Sequence, residues 1–208
     1  MGIFQQFSAS ILATIVIGLA TVGFSLKLAT LSNIRSGVES SSPFLKDSTF
    51  IYRNNFGIPH ITASNEHDVF FALGYAQAQD RLWQMDFYRR IARGRLAEVV
   101  GNDAVQADKF FRVLGLNRIA DKLMKSVSKQ SLNALEAYSE GVNAFIAEGS
   151  RTLPFEFGAL DYKPEPWKPA DCLVIGRLMS FDMSMSFWTD IAIGEIAESI
   201  GVEKALEF

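Results

Sequence analysis

The stretch AQAQDRLWQMDFYRR, residues 76 to 90, constrains the fold most, because its polar and apolar residues do not separate onto two helix faces. At about 100° per residue, one broad apolar arc is formed by Ala76, Ala78, Leu82, Trp83, Met85 and Phe87. Gln79, Asp86 and Arg90 fall in the middle of this arc. The opposite side carries Gln77, Asp80, Arg81 and Gln84. An apolar arc wider than half the circumference predicts a helix that is buried on several sides.

The charges inside the arc need partners, because a buried, unpaired carboxylate or guanidinium is strongly destabilising. Asp86 and Arg90 are four residues apart, and Arg89 is three residues from Asp86, so all three lie on neighbouring turns of one helix face. We expect Asp86 and Arg90 to pair with each other, and also with Gln79 or with the backbone of a partner chain. We interpret this network as a scaffold rather than as catalytic machinery.

Composition indicates a globular protein and argues against a polyanionic partner. The chain is 49% hydrophobic and 12% aromatic, and its formal net charge is −3 with acidic and basic residues interspersed. No basic patch is present in the sequence, so we expect no binding of nucleic acid. The single cysteine, Cys172, has no partner for a disulfide within the chain and no metal-ligand spacing, and is therefore predicted to be a small core residue.

The N-terminal segment is uncharged from residue 1 to residue 26, and its last sixteen residues form an apolar run. This pattern is typical of an export signal or a membrane anchor, with a buried core helix as the alternative. The Ser-rich stretch SNIRSGVESSSP follows and reads as a linker. The predicted organisation is a signal peptide or anchor over 1–31 (apolar part 3–26), a linker over 32–47 and a folded part over 48–208.

The folded part reads as mainly helical after a short hairpin. The runs STFIYR and IPHITA, joined by NNFG, predict two antiparallel strands, and Pro59 places the second strand at an edge. Asn65 predicts the start of a long helix that ends near Arg93, with Gly94 in the left-handed stop. Helices are further predicted over 108–126, from Ser128 to Gly149, from Pro169 onward and over 189–201, and 153–169 reads as an irregular, proline-rich connector.

No self-contained catalytic motif is visible in the sequence. The segment AYSEG has Ala137 where a nucleophile elbow has its first glycine, so Ser139 is interpreted as a serine on a helix surface. His60 and His67 are the only histidines, and neither has a partner at the spacing of a serine triad or a zinc site. We therefore assign no catalytic residue to this chain.

Four blocks of the sequence together resemble the α-chain part of the penicillin acylase family of N-terminal-nucleophile amidohydrolases. The blocks are RNNFGIPHITA, DVFFALGYAQAQDRLWQMDFYRRIARGRLAEVVG, AYSEGVNAFI and FGALDYKPEPWKPADCLVIGRLMSFDMS. The resemblance covers about residues 48 to 190 and implies an α+β fold, the αββα sandwich, to which this part contributes mainly helices and a hairpin. It also implies an exported precursor that cuts itself into an α and a β chain, with the nucleophilic serine at the start of the β chain.

The resemblance further implies roles for residues after the proline-rich connector. Met179, Phe181 and Met183 are expected to line the pocket for the acyl group, with ordinary core packing as the alternative. Asp190 stands where relatives usually have glutamate and is expected to supply one ligand to a structural calcium ion that the β chain mostly holds.

The function implied is removal of the acyl side chain from an N-acylated substrate by an enzyme of the periplasm or the extracellular space, with or without a membrane anchor. A β-lactam, an acyl-homoserine lactone or another N-acyl compound would fit, and the expected partner is the β chain of the same precursor. Without that chain, the 208 residues are expected to be inactive. The alternatives are an inactive homologue that binds acylated ligands, and a membrane-anchored interaction protein.

Overall fold

The computed structural model describes residues 38–39, 44–149, 153–184 and 186–205. They form a small antiparallel sheet followed by helices, so the predicted mainly helical architecture with a hairpin near the N-terminal side is confirmed. The predicted signal or anchor lies outside these residues. None of the described helices combines the length and the apolar composition needed to cross a membrane.

The sheet has three strands in the order β1-β2-β3. The strands are β1 (Val38–Glu39), β2 (Phe50–Arg53) and β3 (Pro59–Thr62). The predicted hairpin is β2-β3, and Pro59 lies in the edge strand, opposite Arg53. At the turn, Gly57 takes a left-handed φ of +77°, and the Asn54 side chain accepts hydrogen bonds from two backbone N–H groups, those of Phe56 and Ile58.

Helices make up most of the described chain. They are α1 (Glu66–Arg93), α2 (Ala97–Val100), α3 (Val105–Leu114), α4 (Leu116–Met124), α5 (Lys129–Ala147), α6 (Phe155–Ala159), α7 (Pro169–Met183), α8 (Ser186–Ile200) and α9 (Val202–Ala205). The chain falls into two compact units. Among the described residues, the first unit contains those up to Asp86 and those between Ser128 and Pro169, and the second contains Phe87–Val127 and those from Ala170 onward.

Helix α1 begins and ends where the sequence predicts. The Asn65 side chain accepts a hydrogen bond of 3.0 Å from the N–H of Asp68, and Gly94 ends the helix with a φ of +63°. Within the helix, Arg81 has non-helical backbone angles, φ −152° and ψ 32°, so that α1 is kinked there. A single straight helical wheel therefore describes α1 only on either side of Arg81.

The burial along α1 follows the sequence prediction in spite of the kink. Gln79, Asp86 and Arg90 are buried, with exposed fractions of 8%, 0% and 6%. The predicted solvent side is exposed at Gln77, Asp80, Arg81 and Gln84. The polar groups in the apolar arc are thus interior groups, as the width of the arc indicated.

In the first unit, α1 and α5 approach each other at two glycines. A Cβ atom on Gly74 would lie 2.1 Å from the carbonyl oxygen of Tyr138, and one on Gly141 would lie 1.9 Å from the carbonyl oxygen of Phe71. Real Cβ atoms do not come this close to a backbone oxygen, so only glycine fits at either position. Buried apolar side chains on the two helices include Ala72, Tyr75, Ala76, Val142 and Phe145.

In the second unit, the prediction of a single helix over residues 108–126 is wrong. Gly115 adopts a left-handed φ of +71° and separates α3 from α4, and its N–H donates to the carbonyl of Phe111. Apolar residues continue at helical spacing across Gly115 because both helices bury one face in the same cluster. That cluster has Ala92, Leu116, Ala120 and Val174 at its centre, with Phe111, Leu114, Leu173, Ile175 and Leu178 packed against it.

The proline-rich segment 153–169, predicted to be irregular, contains a short helix, α6. Phe157 and Trp167 are almost fully buried and anchor this segment. The Asn143 side chain also binds it, donating to the carbonyl of Trp167 at 2.9 Å and accepting from the N–H of Trp167 at 2.6 Å. Pro169 is the first residue of α7, as predicted.

Candidate functional site

Helix α7 presents two of the three expected acyl-binding residues on the side opposite its core contacts. Its buried face contains Asp171 and Val174, followed at helical spacing by the partly buried Leu178. Met179 and Met183, four residues apart, are 54% and 81% exposed. The two thioether side chains therefore form an accessible apolar surface on one side of α7.

Phe181 is separated from the two methionines. Helix α7 runs without interruption to Met183, so position 181 faces away from Met179 and Met183. The Phe181 ring packs against Phe110, with ring centres 6.0 Å apart, and against Phe111, with ring centres 6.2 Å apart. This packing matches the alternative of a core role for Phe181, and a contact between Phe181 and an acyl group stays a prediction.

The calcium prediction rests on Asp190, which is an exposed residue of α8. A carboxylate oxygen is a suitable ligand type for calcium, but an ion of this kind takes six to eight oxygen ligands. In the part of the chain that the structure describes, no group of three or more histidine, cysteine, aspartate or glutamate residues could hold a metal. Asp190 could supply one ligand, and its role as a calcium ligand stays a prediction.

A buried ion cluster anchors the first turn of α7 to the C-terminal turns of α1. Asp171, 2% exposed, accepts from Arg89 Nη1 on Oδ2 at 3.1 Å. Its Oδ1 accepts from Arg93 Nε at 3.0 Å and from Arg93 Nη2 at 2.6 Å. We call Arg89, Arg93 and Asp171 the α7 clamp. The clamp could not be predicted from the sequence, because an acidic residue in a first turn is equally typical of a favourable helix dipole interaction.

A second buried cluster explains why Gln79 lies in the apolar arc of α1. Arg53, on β2, donates from Nη2 to Gln79 Oε1 at 2.9 Å. The same guanidinium contacts both carboxylate oxygens of Asp80, at 2.7 Å from Nη2 and 3.1 Å from Nη1, and donates to the carbonyl of Gly57 at 2.9 Å. Arg53 is only 5% exposed, so it joins the hairpin to α1 from the inside.

Arg90 is bound by a glutamate further along the chain. Its Nη1 lies 2.9 Å from Glu98 Oε2, and Arg95 also donates to both oxygens of Glu98. The hydrogen bond from Arg95, with the positive charge of Arg90, lowers the pKa of the Glu98 carboxyl in spite of its partial burial. The direct pairing of Asp86 with Arg90 stays a prediction.

Asp68, in the first turn of α1, is a fully buried carboxylate that binds the segment preceding the hairpin. It accepts from the backbone N–H groups of Lys46 and Asp47, at 3.0 and 2.9 Å, and from the Asn65 side chain at 2.7 Å. His67 Nδ1 lies 2.9 Å from its Oδ1. Burial alone would raise the pKa of Asp68, but these hydrogen bonds outweigh it and lower the pKa to about 2.

This pKa predicts a loss of stability in acid. The stabilisation by ionised Asp68 is complete above its ordinary pKa of 3.8 and is lost as the pH falls from about 4 to about 2. A shift of this size corresponds to about 2 kcal/mol. Asp68→Asn should therefore lower the free energy of unfolding of the complete protein at pH 7, and the difference from wild type should shrink toward pH 2, as followed by urea unfolding. Asp182→Asn, at an exposed position, is the control; an equal effect of Asp68→Asn at both pH values would contradict the prediction.

A groove of about 430 Å³, lined by His67 and Glu140 among others, lies between the start of α1 and α5. His67 Nε2 lies 3.3 Å from Glu140 Oε2 across it.

His60 contacts Asn54, and neither histidine is hydrogen bonded to a hydroxyl or thiol group in the described residues. The prediction that Ser139 lies on a helix surface is wrong: Ser139 is 4% exposed, and its hydroxyl donates to the carbonyl of Leu135 at 2.7 Å. Neither histidine is therefore assigned as a catalytic base.

This chain is similar in sequence to one protein family and to several known proteins. Residues 48–208 match the family model described as penicillin amidase. The chain is 41% identical over 148 residues to the penicillin acylase 2 proenzyme of Pseudomonas sp. (strain SE83), covering 71% of this chain and 19% of that relative. It is 36% identical over 160 residues to an acyl-homoserine lactone acylase of Pseudomonas syringae pv. tomato, covering 77% of this chain and 19% of that relative.

The fold is also similar to a solved structure. A thermostable penicillin G acylase from Alcaligenes faecalis superposes with a TM-score of 0.63 and 28% sequence identity, over 77% of this chain and 88% of the matched chain. The two relatives matched by sequence are much longer, since this chain spans 19% of the length of each.

Proposed function

Because the chain belongs to the penicillin amidase family of N-terminal-nucleophile hydrolases, we propose that it is one part of an enzyme that removes the acyl group from an N-acylated substrate. The observation that carries the proposal is that the match extends over residues 48–208 and joins this chain to relatives named for cleaving acyl groups from penicillins and from homoserine lactones. Removal of an acyl group from an amide nitrogen is the chemistry common to both names.

The proposed roles of this chain and of the second part of the precursor are based on the residues that this chain contains. The nucleophile and the oxyanion-binding groups would come from the second part of the same precursor, with which this chain would form the mature enzyme. The acyl group would pass to the nucleophile and then to water. This chain would supply one apolar wall of the acyl pocket through Met179 and Met183, whose exposed side chains have no proton to give or accept and act through shape and burial.

The test is hydrolysis of a panel of N-acyl substrates of graded acyl size, on a β-lactam nucleus and on homoserine lactone, by the complete processed protein. We expect turnover of at least one series, and none by the 208 residues alone. Met183→Ala should shift relative kcat/KM toward bulkier acyl groups by about tenfold, because the fit of one methylene is worth about 1–3 kcal/mol.

Val113→Ala is the control for Met183→Ala, since Val113 is similarly exposed, at 80%, but lies on α3. Its ranking of acyl groups should equal that of the wild type. A processed protein that binds acyl compounds without hydrolysing any of them would instead support the inactive homologue. If Met183→Ala lowered kcat/KM equally for all substrates of the panel, Met183 would not be part of the acyl pocket.

A further inference from the structure

The direction in which the two exposed methionines of α7 project depends on the placement of the helix. Met179 is 54% and Met183 81% exposed, whereas the opposite face of α7 is packed. On that face, Val174 is fully buried in the cluster with α4, and Phe181 packs on two aromatic rings of α3. Where Met179 and Met183 point is therefore set by how α7 is rotated and tilted.

Apolar packing alone leaves this orientation loosely defined. The aliphatic contacts at Val174 are non-directional and tolerate small rotations and shifts, and the ring contacts of Phe181 have only a broad preference for orientation. The α7 clamp is directional: Asp171 is 2% exposed and accepts hydrogen bonds from both Arg89 and Arg93. The planar guanidinium groups restrict the carboxylate to a narrow range of orientations.

A small change in the orientation of α7 at the α7 clamp becomes a larger displacement at Met179 and Met183. Met179 lies eight and Met183 twelve residues beyond Asp171, which is about 12 and 18 Å along a helix axis. A tilt of roughly 5° at the first turn would move Met183 by about 1.6 Å over that lever arm. A displacement of this size is enough to change the fit of an apolar group in a pocket.

We propose that Arg89 and Arg93 are positioning residues for acyl selectivity. Through Asp171 they set the orientation of α7, and thereby which acyl groups Met179 and Met183 accept. This inference rests on the proposed function, because it concerns the same acyl pocket. It adds that selectivity depends on a buried ion cluster at the other end of the helix, whose residues do not touch the substrate.

The test is Arg93→Lys in the complete processed protein, assayed on the same panel of N-acyl substrates. Lysine keeps the positive charge but replaces the two converging N–H groups by one mobile ammonium group. Arg93 is suitable because Arg89 still binds Asp171 in the variant. We expect relative kcat/KM between short and long acyl groups to change by about fivefold, mainly through KM, with little change in the melting temperature. Arg177→Lys, exposed on the same helix, should leave the ranking unchanged.

A compensating pair of substitutions distinguishes a positioning role of Arg93 from a general loss of stability. Asp171→Glu lengthens the carboxylate arm by one methylene, so combining it with Arg93→Lys should restore the wild-type ranking at least in part. The proposal is overturned if Arg93→Lys leaves the ranking of acyl groups unchanged or lowers kcat/KM equally for all substrates. It is also overturned if neither the single nor the double variant matures. If Met183→Ala shifts the ranking and Arg93→Lys does not, the clamp proposal fails alone. If the wild-type protein hydrolyses no N-acyl substrate, the proposed function itself fails.

Discussion

Gly141→Ala should destabilise the complete protein by about 3 kcal/mol or more, or prevent it from maturing. The added Cβ atom would lie 1.9 Å from the carbonyl oxygen of Phe71 and 2.9 Å from the backbone nitrogen of Tyr75. Both contacts are with backbone atoms of α1, so no side-chain rotation can relieve them. The helices α1 and α5 would have to separate, which would also loosen the fully buried Val142 beside the crossing. The measurement is urea unfolding, together with the yield of processed protein.

Gly176→Ala is the matched control, because Gly176 is also inside a helix. Apart from the adjacent residues and the nearby backbone of α7 itself, no atom of the described residues lies within 4 Å of a Cβ built on Gly176, and the residue is exposed. Alanine is the better helix former, so this variant should be as stable as the wild type or up to about 1 kcal/mol more stable. If Gly141→Ala unfolded at the same urea concentration as the wild type, the close approach of α1 and α5 would be disproved.

Arg53→Met should cost about 3 kcal/mol in unfolding free energy, because it removes charged hydrogen bonds from a buried side chain while Asp80 stays accessible to water. Methionine is of similar length and apolar, so the variant mainly removes the charge and the hydrogen bonds. Asp80 would lose the guanidinium that contacts both its oxygens, and the buried Gln79 amide would lose a charged donor. The carbonyl of Gly57 would lose its bond from the same side chain. Because these bonds join β2 to α1, the hairpin should also exchange its amide hydrogens faster.

The control for Arg53 is Arg95→Met. Arg95 also binds a carboxylate bidentately, that of Glu98, but the side chains of Arg95 and Glu98 are 33% and 46% exposed. An ion pair that remains in contact with water contributes little, so the loss should stay below about 1 kcal/mol. Equal losses for Arg53→Met and Arg95→Met would show that burial of the Arg53 cluster does not matter.

The limits of the local elements could be predicted from the sequence. Asn65 begins α1 and Gly94 ends it, and Pro169 begins α7, because caps and stops depend on backbone groups within four residues along the chain. The same reasoning fails at Gly115, where a helical hydrophobic pattern continues across a left-handed residue. Periodicity reports which side of each turn is buried, and it does not report whether the two turns belong to one helix.

The sequence by itself also determined which polar residues of α1 are interior, since the width of the apolar arc placed Gln79, Asp86 and Arg90 inside. Only the tertiary structure decided what satisfies them and what fixes α7. Gln79 is bound by Arg53, which is 26 residues away, and Asp171 by Arg89, which is 82 residues away. It also decided that the Phe181 ring packs on Phe110 and Phe111 while Met179 and Met183 are exposed. Burial is a property of one segment and shows in its periodicity, whereas a partner depends on which distant segments pack together.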